Sequence, residues 1–469
     1  MSRKKVLPLL ERVKITDIGA EGNAIARVDN MVVFVPMLIP GDVADIRVTK
    51  KRKKYLEGRV EKIHKFSPDR ISPRCIHFGT CGGCRWQHLP YNMQLRFKEQ
   101  QVIDSLKRIG RLDLPEVMPI LGSKDEYYYR NKLEYTFSDR RWFSFEEINS
   151  GKELIKEAAL GFHIPGLFDK VLDITECHLQ PEPSDSIRNS LKKYSVEENL
   201  GFFDLREQEG FLRNLIIRNS LRGDVMLIVV FNYDDNDNRK RLLDYLSESF
   251  PQITSLFYVI NPKKNSSLAD LDPVLYKGND HLLEDMDGLK FRIGPKSFYQ
   301  TNTRQGIELY RVVKEFAGLS GRETVYDLYT GTGTIACYLA GAAKKVIGIE
   351  YIDEAVKDAE INARLNDITN ALFCSGDMKK VLNEDFIAMN GQPDVIITDP
   401  PRAGMHDDVT RTILKAGAGK IVYVSCNPAT QARDISLLSD NYYVAAVQPV
   451  DMFPHTHHVE NVVLLKRRL

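Results

Sequence analysis

Val325-Tyr-Asp-Leu-Tyr-Thr-Gly-Thr-Gly-Thr334 decides the fold. An apolar strand runs into a glycine-rich turn, and a helix is expected to begin near Ile335. The next strand, KVIGIE, ends at Glu350, 19 residues past Gly331. Glycine lets a ligand approach the backbone, and an acid at this distance can hold both hydroxyls of a ribose. From about residue 296 onward, strands (TVYDLY, KVIGIE, ALFCSG, DVIITDP, IVYVSC, NVVLLKR) alternate with helical segments in the α/β manner. Two of them end in Ser375-Gly376-Asp377 and Asp399-Pro400-Pro401-Arg402, which brings polar groups to the carboxyl edge of the sheet, where such folds bind ligands.

The turn is G-x-G and lacks the third glycine of a pyrophosphate fingerprint, a pattern better suited to S-adenosylmethionine. The strand Ile421–Ser425 then delivers Cys426, followed by Asn427-Pro428, beside that pocket. A cysteine there is placed to act as a nucleophile. Cys337 and Cys374 read as inert: one lies inside a helix and the other near a strand end without a motif. Glu460 precedes the last strand.

Upstream, residues 8–65 read as short strands bent at Gly19, Gly22, Pro40-Gly41 and Gly58, the rhythm of a small barrel. Its last hairpin tip is Lys50-Lys51-Arg52-Lys53-Lys54. The chain as a whole has 65 Lys+Arg against 64 Asp+Glu, a net charge that argues against nucleic acid. Residues 1–75, however, hold 17 basic and 9 acidic side chains, so a basic head sits on a mildly acidic body. On a basic barrel the hairpin tip reads as a phosphate-binding surface. Residues 91–110 have helical spacing, with Leu95, Val102, Leu106 and Ile109 on one side; the helical segment, taken as about 91–126, is expected to pack on the C-terminal unit. Residues 127–290 mix strand-like runs with polar loops. Tyr129-Arg130-Asn131-Lys132 precedes a strand and could touch RNA, or could equally be a strand edge with solvated charges. The expected division is 1–68, 69–290 and 291–469.

Cys75-x5-Cys81-Gly-Gly-Cys84 puts three thiols within ten residues, and Cys177 is a remote fourth. Four thiolates hold either zinc or a 4Fe-4S cluster. One C-x2-C knuckle with an uneven gap and a distant partner favours iron–sulfur over the paired knuckles of a zinc ribbon. The cysteines are too few and too clustered for a disulfide scaffold, which points to a reducing, cytoplasmic setting. No apolar run follows the charged N-terminus, and the longest apolar stretch, Val225–Phe231, is seven residues, so neither a secretory leader nor a membrane span is expected.

SFYQTN at 297–302, DPPRAG at 399–404, SCNPAT at 425–430 and DMFPHTHHVE at 451–460 occur in one order across the chain. Together they resemble the S-adenosylmethionine-dependent RNA uracil-C5 methyltransferases, which make 5-methyluridine in ribosomal and transfer RNA. The barrel is similar to the TRAM domain, an OB-like RNA-binding module. The resemblance implies a Rossmann-like α/β methyltransferase domain, an N-terminal TRAM barrel and a central α+β domain. It implies Cys426 as nucleophile and Glu460 as general base. Gln300, Tyr329, Glu350 and Asp399 match cofactor-binding positions, with Gly331, Thr334 and Asp377 as weaker candidates; Thr334 stands where one branch of the family has Asn. Phe298 matches an aromatic near the target base. Members with this cysteine arrangement hold a 4Fe-4S cluster.

The expected function is methyl transfer to C5 of a uridine in 23S ribosomal RNA, by a monomer, with transfer RNA as the alternative substrate. A non-catalytic RNA-binding assembly factor would lack the nucleophile or the base, and both are present. Cytosine-C5 enzymes place their cysteine in Pro-Cys or Thr-Cys motifs, unlike Ser425-Cys426-Asn427-Pro428.

Overall fold

The computed structural model describes residues 7–468 except 152, 155 and 156. The charged first residues, read above as free of a leader, lie outside them.

The C-terminal unit is a seven-stranded sheet ordered Ala371–Ser375, Lys345–Glu350, Thr324–Leu328, Val395–Thr398, Lys420–Ser425, Glu460–Arg467, Tyr442–Val450. The first five strands are parallel, and Glu460–Arg467 is antiparallel to both neighbours. The parallel strands read as near-continuous apolar runs because helices cover both faces. The strand order reverses between Thr324–Leu328 and Val395–Thr398. That switch point opens a crevice at their carboxyl ends, flanked by Tyr329 and Asp399.

One face of this sheet packs on helix Thr303–Ala317 and on the central sheet through a shared apolar core that runs from Ile216, Met226 and Ile228 to Val462 and Leu464. The expected division at 290/291 falls inside the strand Leu289–Ile293, which pairs with Leu282–Met286. The other face buries Val102 and Leu106 of the N-terminal helical segment against Ala432, Ile435 and Leu438. That segment is shorter than about 91–126. An α-helix, Tyr91–Asp104, continues as one π-helical stretch, Ser105–Ile109, and stops at Gly110. Pro115 and Pro119 lie in the extended chain beyond it and lack the N–H a helix needs. Ile109, expected on the buried side, is 54% exposed because the π-helical stretch rotates the last residue off that face.

The central sheet has seven strands, with Val225–Phe231, the longest apolar run, fully buried in it. The N-terminal six-stranded sheet rolls around one core of alternating residues (Val13, Ala24, Ala26, Val33, Val35, Ala44, Ile46). Among the described residues no helix is long and apolar enough to cross a membrane.

Candidate active site

Strand register brings the two central residues together. Ser425 pairs with Asn461 across the antiparallel junction, so the next residue on one strand, Cys426, faces the previous one on the other, Glu460. Glu460 opens the last strand and is 6% exposed. Among the described residues its carboxyl makes no hydrogen bond or ion pair. Burial, reinforced by Asp399 and opposed by Arg402, pushes it up to about 8. Asp399 follows the neighbouring strand and is pushed up to about 7 by burial and by Asp327. Burial pushes the Cys426 thiol up to about 11; Glu460 and Asp399 add to this, and Arg402 opposes it. The Asn427 side chain accepts from Ala429 N–H and caps helix Pro428–Leu438, which fixes the turn that presents Cys426.

The glycine turn lies one strand away. Tyr329, Gly331 and Gly333 all have left-handed backbone, with φ of 63°, 55° and 76°. A Cβ on Gly333 would strike Ala359 at 2.7 Å, so that glycine serves packing; a Cβ on Gly331 would meet nothing within 4 Å, leaving open space above its backbone. Glu350 accepts hydrogen bonds from Gly331 N–H (3.0 Å), Tyr351 N–H (2.8 Å) and Ile352 N–H (3.0 Å), which holds its carboxylate at the rim of the turn. Asp377 caps a short helix beginning at Met378, next to Glu350 across the sheet edge (Glu350 pairs with Ser375). The Thr334 hydroxyl lies 3.0 Å from that of Tyr310.

The SFYQTN segment closes over this turn. Thr332 Oγ1 donates to Phe298 O (3.3 Å), and the Phe298 ring is 69% exposed. The buried Gln300 is held by Asn131 Nδ2 donating to its carbonyl (2.9 Å). Asn302 Nδ2 donates to Met452 O (3.0 Å), tying the segment to the loop that leads to Glu460.

That loop, residues 451–459, is clasped from three sides. Lys98 Nζ donates to Asp451 Oδ1 (2.5 Å), and both side chains are fully buried. Arg85 and Trp86 N–H groups donate to His455 O (2.8 and 3.0 Å). Gly22 of the N-terminal unit lies against His457, where an added Cβ would come within 2.8 Å. The histidines of the loop therefore pack; His455 Nδ1 sits 3.2 Å from Gln94 Nε2.

Cys75, Cys81, Cys84 and Cys177 line one cavity of about 800 Å³, which also touches Arg130 and Thr456. Among the described residues no group of three or more His, Cys, Asp or Glu side chains is placed so that it could hold a metal ion. Each sulfur has an N–H group facing it: His77 and Phe78 at Cys75, Gly83 at Cys81, the Gln87 amide at Cys84, Leu179 at Cys177. Arg130 lies between this cavity and the clasped loop, with its guanidinium 6.0 Å over the Phe453 ring. Lys50, Lys51, Arg52, Lys53 and Lys54 are exposed at a hairpin tip, and Lys50 pairs with Glu57 at 3.2 Å.

The sequence reading gave no role to Asp327, Lys98 or Asp451, and none to Arg402. Asp327 is buried, accepts at Oδ2 from Thr330 Oγ1 (2.5 Å), and is pushed up to about 7 by burial. An acid in the middle of an otherwise apolar strand was the available signal for it.

A family model described as tRNA (uracil-5-)-methyltransferase matches residues 280–468, and a TRAM domain model matches 11–60. An uncharacterized RNA methyltransferase of Bacteroides thetaiotaomicron is 55% identical over 454 residues, covering 96% of this chain and 100% of that protein. The chain belongs to the RNA (uracil-5-)-methyltransferase family. A Porphyromonas gingivalis relative, also described as an uncharacterized RNA methyltransferase, shares 56% identity over 462 residues, 97% of this chain and 99% of its own. The methyltransferase is also similar in fold to the crystal structure of Pyrococcus abyssi tRNA (uracil-54, C5)-methyltransferase in complex with S-adenosyl-L-homocysteine. That match has a TM-score of 0.75 and 28% identity over 97% of this chain and 100% of that one. The expected α/β methyltransferase fold with an N-terminal TRAM domain therefore holds.

Proposed function

We propose that this enzyme methylates C5 of a uridine in 23S ribosomal RNA through a covalent adduct between Cys426 and C6 of the base. The register that sets Cys426 opposite Glu460, with Asp399 on the adjoining strand, carries the reading. Uracil C5 is too weak a nucleophile to attack a methyl donor unaided. The Cys426 thiolate adds to C6, and the C5=C6 electron pair moves onto C5 and O4. S-adenosylmethionine, when bound, supplies the electrophilic methyl group that C5 takes up. Glu460 then removes the C5 proton, the C5=C6 bond re-forms and the C6–S bond breaks, returning the thiolate. Asp399 orients the base, and Phe298 gives a flipped uracil a ring to rest on.

The open space above Gly331 fits the methyl donor, with Glu350 at the ribose position and Tyr329 and Gln300 flanking it. A sulfonium cation also suits a crevice that contains the buried carboxyls Asp327 and Asp399, whose ionised forms it would stabilise against burial. Thr334 and Asp377 are the outer contacts. The cysteine cavity fits a 4Fe-4S cluster held by Cys75, Cys81, Cys84 and Cys177, because the four thiols line one cavity and each has an N–H donor facing it. Its role is structural. RNA phosphates are gripped by Lys50–Lys54 and Arg130. The Pyrococcus neighbour favours a second reading, transfer RNA.

Cys426→Ala is expected to abolish turnover, and wild type to form a denaturation-resistant adduct with 5-fluorouridine RNA; an active Ala variant overturns the scheme. Nucleoside mapping in cells lacking the protein should show one 5-methyluridine missing from 23S ribosomal RNA, whereas loss from transfer RNA would select the second reading.

A further inference from the structure

Arg402 is the last residue of Asp399-Pro400-Pro401-Arg402, and the catalytic scheme leaves it unused. Its backbone is tied to the segment that begins at Cys426. The Arg402 carbonyl accepts from Asn427 Nδ2 (3.1 Å) and from Thr430 Oγ1 (3.2 Å). Its side chain is exposed and reaches the opposite segment, with Nη2 lying 3.5 Å from His458 Nε2, two residues before Glu460. The guanidinium thus lies between the segment that carries the nucleophile and the one that carries the base.

The charges facing that sulfur explain why a cation is needed. Glu460 and Asp399 both disfavour the thiolate, and burial disfavours it further. Arg402 opposes all three, and it is also the cation that opposes protonation of Glu460. A group that must ionise inside an acidic crevice needs a fixed positive partner, and Arg keeps its charge where Lys or His would lose it.

We propose that Arg402 is a further catalytic residue, a guanidinium that stabilises the Cys426 thiolate each time the cycle forms it. The thiolate appears twice. It exists before attack, when the S–H proton has left to solvent and the sulfur lone pair forms the S–C6 bond. It returns after Glu460 takes the C5 proton and the S–C6 pair comes back to sulfur. The assignment rests on Cys426 being the nucleophile.

The test is the pH dependence of Cys426 alkylation by iodoacetamide in the full-length protein, followed on the Cys426 peptide by mass spectrometry. Only the Arg402 side chain is exchanged, so the carbonyl bonds to Asn427 and Thr430 remain. Arg402→Met is expected to move the inflection up by about one pH unit or more, and Arg402→Lys by less. Adduct formation with 5-fluorouridine RNA at neutral pH should slow at least about tenfold in Arg402→Met and recover as pH is raised. An unmoved inflection in Arg402→Met overturns the proposal. If instead Cys426→Ala still forms the adduct, the nucleophile assignment fails and this one with it; an inactive Cys426→Ala beside an unmoved inflection fails Arg402 alone.

Discussion

Cys426 and the quartet Cys75, Cys81, Cys84 and Cys177 are alike in one respect: burial raises every one of these thiols, Cys81 to about 11 and Cys84 to about 12. Their surroundings differ. Around Cys426 stand two carboxyls, which can exchange protons with the thiol, and a guanidinium of fixed charge. The quartet also has charges nearby, Glu176 and Asp185 at Cys75 and Asp185 and Arg188 at Cys177, but each of its sulfurs in addition faces an N–H donor, and the four share one cavity. Gln87 links two of them, with its Oε1 accepting from Cys75 N–H (3.0 Å) and its amide facing Cys84. A thiol among titratable groups is arranged to ionise and react. Thiols among fixed dipoles are arranged to stay ionised once something cationic binds them.

The sharpest way to break this contrast is Glu460→Gln. If the groups around Cys426 work as a proton-exchanging set, the variant should still add its thiol and accept the methyl group but fail to eliminate. Turnover should fall by about 10²–10⁴-fold while a stable methylated adduct with ordinary RNA accumulates. Loss of the adduct together with turnover would show that Glu460 holds structure instead. Cys84→Ser addresses the other side. Purified without oxygen, it should lose most of its bound iron and its brown colour, and its Tm should drop by about 5 °C or more. The alkylation profile of Cys426 should stay where it was. Zinc found in the wild-type protein would remove the cluster from the comparison.

The two regions meet at residues 451–459, where Arg85 and Trp86, next to Cys84, hold the loop from one side and Lys98 from another. Lys98→Met leaves Asp451 buried without its counter-ion. This should cost about 3–5 kcal/mol, read by denaturant unfolding, and Lys98→Met with Asp451→Asn should recover part of it. Iron content should be unchanged in both.

The sequence was legible where the signal is local. A glycine turn after an apolar strand, an acid at the next strand end and a cysteine at a third are each written within a few neighbouring residues, and the structure sets them along one sheet edge. What faces Cys426 is not local. The last strand inserts between its predecessor in sequence and Lys420–Ser425, and only that insertion puts Glu460 opposite the thiol. Family resemblance, not periodicity, pointed to Glu460. Lys98 and Asp451 are 353 residues apart, and on its helix Lys98 has the look of an ordinary solvated charge. The helical spacing itself ends at Gly110, where the structure ends the helix, and Pro115 and Pro119 bar an extension to 126.

The smallest effect concerns stability, and it separates the two regions by sign. Glu460 has a folded-state pKa near 8, well above the ordinary 4.5. Below pH 4.5 the carboxyl is neutral in both folded and unfolded chains, and its contribution to stability is fully present. As pH rises, the unfolded chain ionises first and the folded one resists, so that contribution is lost between about pH 4.5 and 8. Above that window, wild type bears the cost of a buried carboxylate. Gln cannot ionise. Calorimetry of Glu460→Gln against wild type should therefore show nearly equal stability at pH 4.5 and a variant more stable by about 2–4 kcal/mol at pH 9. If Cys84 holds the proposed cluster, Cys84→Ser should be less stable than wild type at both pH values. A pH-independent difference for Glu460→Gln would mean that packing, not ionisation, sets the energetics of the reactive site, and the contrast between titrating and ligating cysteines would lose its electrostatic basis.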